Sequence, residues 1–203
     1  ALAINRVRAE AIVPGVIAVL GLNVPAGVPV RAAGASGVTV RLPNGSVCAW
    51  LFPTGIVPLT TVTVEIDTTV TSVDVGEVAI LRAVDVGISD GWGVATVDAS
   101  AHVRTRGGQV NTVPGAVYRR FTGNLSARAT EVVRKGGLGG TDWESIAYAL
   151  AGKSRGCVVP QYRDIQSKVF DPLLAARSAI YGHAVQLPTA ENLSRQYFAG
   201  YLE

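Results

Sequence analysis

The sequence predicts an α+β fold, with an antiparallel β-rich N-terminal two-thirds and a helical C-terminal third. Three observations predict it. Apolar residues recur mostly with period two before residues 135–141, clusters of Pro, Asn and Gly punctuate that stretch, and beyond the glycine run at 136–140 the apolar spacing becomes helical. The expected boundaries are a β-rich domain over 1–135 and a helical region over 136–203 packed on it. The chain has 203 residues, 48% hydrophobic and 16% charged. That composition makes disorder a poor reading, and because a folded chain of this size hides roughly 70% of its unfolded surface, no metal or disulfide is needed to hold a core. No repeat of about 20 to 50 residues and no low-complexity linker divides it.

Taken in order, the stretch from Ala11 to Val30 is free of charge and follows Arg6 and Arg8, which superficially resembles a signal or a membrane span. Pro14, Gly15, Gly21, Pro25, Gly27 and Pro29 interrupt it, so buried strands and turns are the expected use of this run, with no membrane involved. A cytoplasmic origin is expected, and the missing Met before Ala1 fits removal ahead of a small residue. Val62, Val64 and Ile66 alternate with Thr63, Glu65 and Asp67, which puts the apolar set on one face of a half-buried strand. Val38–Leu42, Val47–Phe52, Glu77–Val86 and Gly93–Val103 read similarly. Turns at 43–45, 53–55 and 89–91 separate them.

After Lys135 the glycines lead into Thr141-Asp142-Trp143-Glu144, a Thr-x-x-Glu capping box for a helix start. Trp143, Ile146, Ala147 and Leu150 then share one apolar face, expected to pack on the sheet. A second helix is expected near Pro160, with Tyr162, Ile165 and Val169 on one face. Asp171-Pro172 interrupts it as an N-cap followed by an N1 proline. A third helix runs from Leu173 to Tyr181 and ends at Gly182, and a last one from Thr189 aligns Leu193, Tyr197 and Tyr201.

Charge is unevenly distributed. The net charge is only +3, too small for general nucleic-acid affinity to follow from it. Residues 42–103 carry seven acids and one base, whereas 104–177 carry twelve bases and five acids. Two unlike faces result, a pattern that suits neighbour-to-neighbour packing as well as a solvated surface. Cys48 and Cys157 lie far apart with no Cys-x-x-Cys or Cys/His spacing and read as buried thiols. His102 and His183 stand alone, so no metal site is expected.

The glycine run before a helix could cradle an anion, but Asp142 and Glu144 put negative charge there and no phosphate-loop pattern is present. No nucleophile elbow occurs, and a small hydrolase would need His102 or His183 to meet acids from scattered positions. The carboxylates between residues 65 and 98 read more simply as solvent-facing. Arg104-Thr105-Arg106-Gly107-Gly108 could touch nucleic acid, but without interleaved aromatics it reads as a turn between strands. Three Asn-x-Ser matches, at Asn44, Asn124 and Asn192, are chance sequons in the absence of a secretion signal. No catalytic residue and no cofactor is expected.

Three segments in order resemble one family, the J-type baseplate wedge proteins of contractile phage tails and related injection machines. Val24-Pro25-Ala26-Gly27-Val28-Pro29-Val30 resembles the family's Ile/Val-Pro-Ala-Gly-Thr-x-Val turn and strand. Gly108-Gln109-Val110-Asn111-Thr112-Val113-Pro114-Gly115 is similar to its Gly-Asn-Val-Pro-x-Gly loop, with Thr112 and Val113 inserted. Gly139-Gly140-Thr141-Asp142-Trp143-Glu144-Ser145 resembles its Gly-Gly-x-Asp-x-Glu-Ser entry into a helix, and Val158 to Ile165 matches loosely a following Ala-Val-Thr-x-x-Asp-Tyr. About twenty positions across residues 24–170 carry the likeness. The chain is shorter than family members usually are, and the helix after Ser145 lacks their run of charged residues.

The resemblance implies a non-enzymatic structural protein of a virion, assembled in the host cytoplasm. It implies a bacteriophage tail baseplate component packing against itself and other virion proteins, as a homo-oligomer or in six-fold symmetry. Another virion part, such as the tail tube, capsid or head–tail joint, is the alternative. In this reading Gly139, Gly140, Thr141, Asp142, Glu144 and Ser145 fix the β-to-helix junction. The acidic strands and basic second half supply contacts between subunits, Arg119 and Arg120 among them, and apolar loops such as 14–30 are buried against partners. Charge reversal at Arg119 and Arg120 is therefore expected to weaken assembly, and sedimentation velocity on the variant, with unchanged assembly as the adverse outcome, checks it.

Overall fold

A computed structural model describes residues 2–55, 57–85, 91–129, 140–151, 155–184, 189–192 and 197–202. Strands dominate, and the two helices among the described residues lie in the C-terminal third, so the α+β class holds. The chain forms two compact units, Ala1–Asp85 with Gly156–Tyr181, and Val86–Arg155 with Gly182–Glu203. Each unit is assembled from separate stretches of chain, and neither ends at residue 135.

The first unit is built on two four-stranded antiparallel sheets. One has the order β1 (Leu2–Ile12), β7 (Leu59–Ile66), β3 (Pro29–Ala32), β4 (Ala35–Val38). The other has the order β5 (Val40–Arg41), β6 (Val47–Leu51), β2 (Val16–Leu22), β8 (Glu77–Leu81). Inward residues of both fill one core: Val30, Ala32, Val62, Val64 and Ile66 from the first sheet meet Ile17, Val19, Val47, Ala49, Leu51 and Ile80 from the second. In β7 the residues between them, Thr61, Thr63 and Glu65, are exposed, the alternation of a sheet wetted on one face.

The second sheet is covered on both faces. Val16, Ala18, Cys48, Trp50 and Ala79 point away from the sandwich core into a second cluster with Ala176 and Ala179. Those two residues belong to the segment carrying helix α2 (Pro172–Ser178). All five residues of β6 are buried, because a strand covered on both sides is apolar at every position. Alanine at 175, 176 and 179 lets the helix backbone approach the sheet closely. Asp171 caps α2 as its sequence indicates, accepting from Leu173 N–H at 2.9 Å and Leu174 N–H at 3.0 Å, with Pro172 at the first turn. Beside this cluster, burial pushes the Cys157 thiol up to about 12, only partly offset by a backbone hydrogen bond from Ile180. Both cysteines are thiols.

Thr39 joins the two sheets. It lies between β4 of one sheet and β5 of the other and is 2% exposed. Its hydroxyl accepts from Val28 N–H at 2.9 Å and donates to Pro25 C=O at 2.7 Å. Its own N–H donates to Val28 C=O at 2.9 Å, and its C=O accepts from Gly27 N–H at 2.8 Å. The Val24–Val30 segment is thereby strapped to the corner, with Gly27 at φ +87° in its turn.

The second unit contains the sheet β15 (Thr189–Asn192), β16 (Tyr197–Leu202), β12 (Val117–Ala129), β9 (Gly93–Asp98), and the hairpin β10 (Ala101–Arg104)–β11 (Val110–Val113). Helix α1 (Trp143–Leu150) lies beside β15. It buries Trp143 and half-buries Ile146, Ala147 and Leu150, the face the spacing indicates. β13 (Arg155–Val158) and β14 (Ile180–His183) pair with each other, and boundaries between the units fall inside them.

Four expectations are corrected. The segment from Pro160 is not a helix. Asp164 Oδ1 accepts from Gln166 N–H, Ser167 N–H and Ser167 Oγ–H at 3.0, 2.7 and 2.9 Å, so the side chain captures amides that a helix would use. Ile165 and Val169 are left 70% and 64% exposed. Thr189–Asn192 and Tyr197–Leu202 form β15 and β16 instead of a helix, with Gly123↔Leu202 and Thr189↔Tyr201 in register, in keeping with the aromatic, glycine-containing Tyr197–Leu202 run; Leu193 lies outside the described residues. The α1 cap is Asp142, one residue later than the Thr141 of the expected box, because its carboxylate reaches Ser145 N–H at 2.8 Å. Finally, residues 14–30 are spent on the chain's own core, where Pro14, Val16–Val19, Leu22, Val24 and Val30 are buried.

Thr39→Val preserves shape but leaves the half-buried Val28 N–H and the Pro25 C=O without the hydroxyl that bonds them. We expect about 1–3 kcal/mol of destabilisation, read as a lowered denaturant midpoint at unchanged m; an unchanged midpoint contradicts the role given to this corner.

Candidate functional site

Among the described residues, the hairpin in the second unit is exposed along its whole length. β9 pairs with β12 from Gly93↔Thr122 to Asp98↔Val117, and the ladder resumes from Ala101↔Val113 to Arg104↔Val110. Ala99 and Ser100 oppose three residues, 114–116, which makes a bulge. The tip closes with Thr105 N–H donating to Gln109 C=O at 2.9 Å and Gly108 N–H to Thr105 C=O at 3.0 Å. The Arg104–Gly108 segment is thus the turn between strands that its composition indicates.

Every residue from 101 to 118 is exposed. Paired residues share a face, so Ala101, Val103, Asn111 and Val113 form one side, largely apolar, while His102, Arg104, Val110 and Thr112 form the other. Val103 and Val113 are 56% and 60% exposed. On the opposite side His102 Nδ1 lies 3.0 Å from Thr112 Oγ1. An isolated two-stranded ribbon is marginal in water, and this one is secured at its bulge. Ser100 N–H donates to Asp98 Oδ1 at 2.8 Å, Gly115 N–H donates to Ser100 Oγ at 2.9 Å, and Ala99 N–H donates to Ala116 C=O at 3.0 Å. The Ser100 side chain and then its backbone hold the Asp98 carboxyl below the ordinary carboxylate range. The carboxylate that anchors the bulge is therefore present at neutral pH and lost as pH falls below that range.

Gly115, the last residue of the 108–115 motif, is required by close approach. A Cβ there would overlap the carbonyl carbon and oxygen of Ala99. Around the hairpin the second unit's core is thin: Phe121 and Trp143 are its buried apolar residues among the described ones, and Phe121 packs against Trp92 with ring centroids 6.3 Å apart.

The junction residues are partly united. Gly139 lies outside the described residues; Gly140 has φ +87°, Thr141 is half-buried, and Asp142 and Ser145 form the capping bond while Glu144 stands exposed in the first turn. Arg119 and Arg120 lie on β12 opposite Thr96 and Ala95. As neighbours in a strand they point to opposite faces, and both are half-buried. Arg104 and Arg106, at the hairpin tip, are by contrast exposed. Sequence reasoning weighed them only for nucleic acid, since an exposed valine row has the same period as a buried one.

His183 Nε2 accepts from Arg155 Nε at 3.3 Å. Among the described residues no three His, Cys, Asp or Glu side chains gather as metal ligands, and no helix of the described residues is long and apolar enough to cross a membrane. Comparisons with protein-family models, with curated proteins and with solved structures return no match.

Gly115→Ala should force the bulge apart. We expect hydrogen exchange at the Ala99 and Ser100 amides to accelerate about tenfold or more while the first unit's core amides keep their protection; unchanged exchange would contradict the account of the bulge.

Proposed function

We propose that the chain is a structural assembly protein of a phage or phage-like particle, first of all a component of the tail baseplate. The observation that supports assembly is the hairpin over 101–118, whose valine-bearing face is ordered and exposed in a single chain. Monomeric proteins keep such surfaces small, and larger ones mark partner sites. The baseplate assignment rests on the resemblance of the 24–30, 108–115 and 139–145 segments to wedge proteins. The geometry of two of them is consistent with structural roles: the first is tied to the Thr39 corner, and the second forms one strand of the hairpin and ends at its bulge.

In this reading the protein acts by packing against itself and against other virion proteins, with neither cofactor nor catalytic step. The residues a small hydrolase would draw on first, His102 and His183, are engaged with Thr112 and Arg155. A tail-tube, capsid or head–tail joining role uses the same exposed hairpin, and copy number separates it from the baseplate.

Quantitative peptide mass spectrometry of purified particles, scaled to a virion protein of known stoichiometry, makes that separation. About six or twelve copies per particle are expected for a cyclic baseplate ring. Hundreds of copies would place the chain in the tube or capsid, and absence from particles would overturn the virion reading.

A further inference from the structure

The sequence separates its charges in a way the fold turns into two surfaces. From Leu42 to Leu81 there is no base, while Glu65, Asp67, Asp74 and Glu77 fall within that stretch. From Ala99 to Thr130 there is no acid, while Arg104, Arg106, Arg119, Arg120 and Arg128 fall within it. The first stretch includes the loop 67–76 that joins β7 to β8 in the first unit; the second includes the whole hairpin tip.

The acidic loop is pinned in place. Asp67 N–H donates to Pro29 C=O at 3.0 Å and Gly76 N–H to Leu20 C=O at 3.0 Å. Asn23 bridges its far side, donating through Nδ2 to Asp74 Oδ2 at 3.0 Å and to Ser72 C=O at 3.2 Å, and accepting from Asp74 N–H at 2.8 Å. Between these anchors Asp67, Thr69, Val70, Thr71, Ser72 and Asp74 are exposed. The loop thus offers two carboxylates around an exposed valine, and ordering it on binding costs little because it is already ordered.

We propose that the hairpin tip docks on the 67–76 loop of a second copy of this chain, with Arg104 and Arg106 facing Asp67 and Asp74 and Val110, which shares the Arg104 face, covering Val70. The proposal rests on the assembly reading of the hairpin and names its partner. Three considerations select a second copy. The hairpin is exposed along its whole length, 101–113, so its tip is open to a partner. The chain itself carries the surface of opposite sign. Valines on both hairpin faces suit a protein partner better than a phosphate backbone, which takes cations and polar groups. Because hairpin and loop are different patches, the contact is heterologous: each copy gives its hairpin to one neighbour and its loop to another, and it builds a ring where the rotation closes.

The test is a charge swap read by sedimentation velocity on the full chain at low and high salt. Arg104→Glu with Arg106→Glu reverses the tip. Asp67→Arg with Asp74→Asn reverses the loop, the asparagine keeping an oxygen for Asn23. Each pair of substitutions alone is expected to weaken self-association by about tenfold or more, and the two together in one chain to restore it to within about threefold. The wild-type association should also weaken as salt rises from about 0.05 to 0.5 M. Circular dichroism establishes that each variant is folded, and the restored double variant guards against loss through misfolding.

A wild-type chain that remains monomeric at every concentration overturns the proposal. So does an oligomer that both single-surface variants leave intact while Val103→Asp dissolves it, since the hairpin would then meet another surface. A monomer that binds duplex DNA with a steep salt dependence overturns it in favour of nucleic acid. In each of these cases the chain can still be found or not found in particles, so failure of this contact and failure of the virion reading are told apart.

Discussion

At Thr39 the chain leaves one sheet of the first unit for the other, and the hydroxyl there is placed where no solvent can serve it. It accepts from Val28 and donates to Pro25, while the residue's own amide and carbonyl bond Val28 and Gly27. A buried polar group is costly unless satisfied, so the corner tolerates one arrangement of the Pro25–Val28 turn. That turn sets where β3 enters its sheet, with Val30 opposite Ile66 and Ala32 opposite Val64. The same corner delivers Val40 beside Cys48 in the other sheet. The inward rows of the two sheets therefore meet in register, and β6, held between the sandwich core and α2, is apolar at every position because neither of its faces reaches water.

This logic explains what could be read from the sequence. The alternation in 62–66 reports a strand wet on one face, and the uninterrupted apolar runs at 16–19 and 47–51 fit strands covered on two. Asp171-Pro172 announces a helix start because cap and N1 proline act within three residues. Effects that depend on competition or on distant chain were not legible. Tyr162, Ile165 and Val169 have helical spacing, yet Asp164 takes the amides first and folds the chain back, with Arg163 bridged to Phe170. β1 escapes a periodicity search because its inward row passes from Leu2 and Ile4 to Arg6 and Arg8, and Arg8 finds its partner 72 residues away at Ile80 C=O.

The candidate site was legible in its composition and not in its geometry. The contrast between an acidic first half and a basic second half is a property of the sequence, and it suggested contacts between subunits. Which arginines stand exposed is a property of the strands. Arg119 and Arg120 are adjacent in β12 and so divide between its two faces, whereas Arg104 and Arg106 end a ribbon that buries nothing. The 108–115 motif acquires a physical reason in the same way: its last residue must be glycine because the bulge brings Ala99 against it.

The two units differ in how they use their apolar residues. The first closes its own core and spends its apolar residues there, including those of the 14–30 run that the assembly reading assigns to partners. The second holds few buried apolar residues among those described and displays valines on a ribbon fixed at its base by Asp98, Ser100 and Gly115. A ribbon fixed at one end and apolar on one face loses little conformational entropy when it is covered. The gain in such an encounter comes from the valines, while the arginines decide which surface is approached and in what register. Because Val110 lies on the same face as Arg104, that face carries an apolar and a cationic group side by side, although the net charge of the whole chain is only +3.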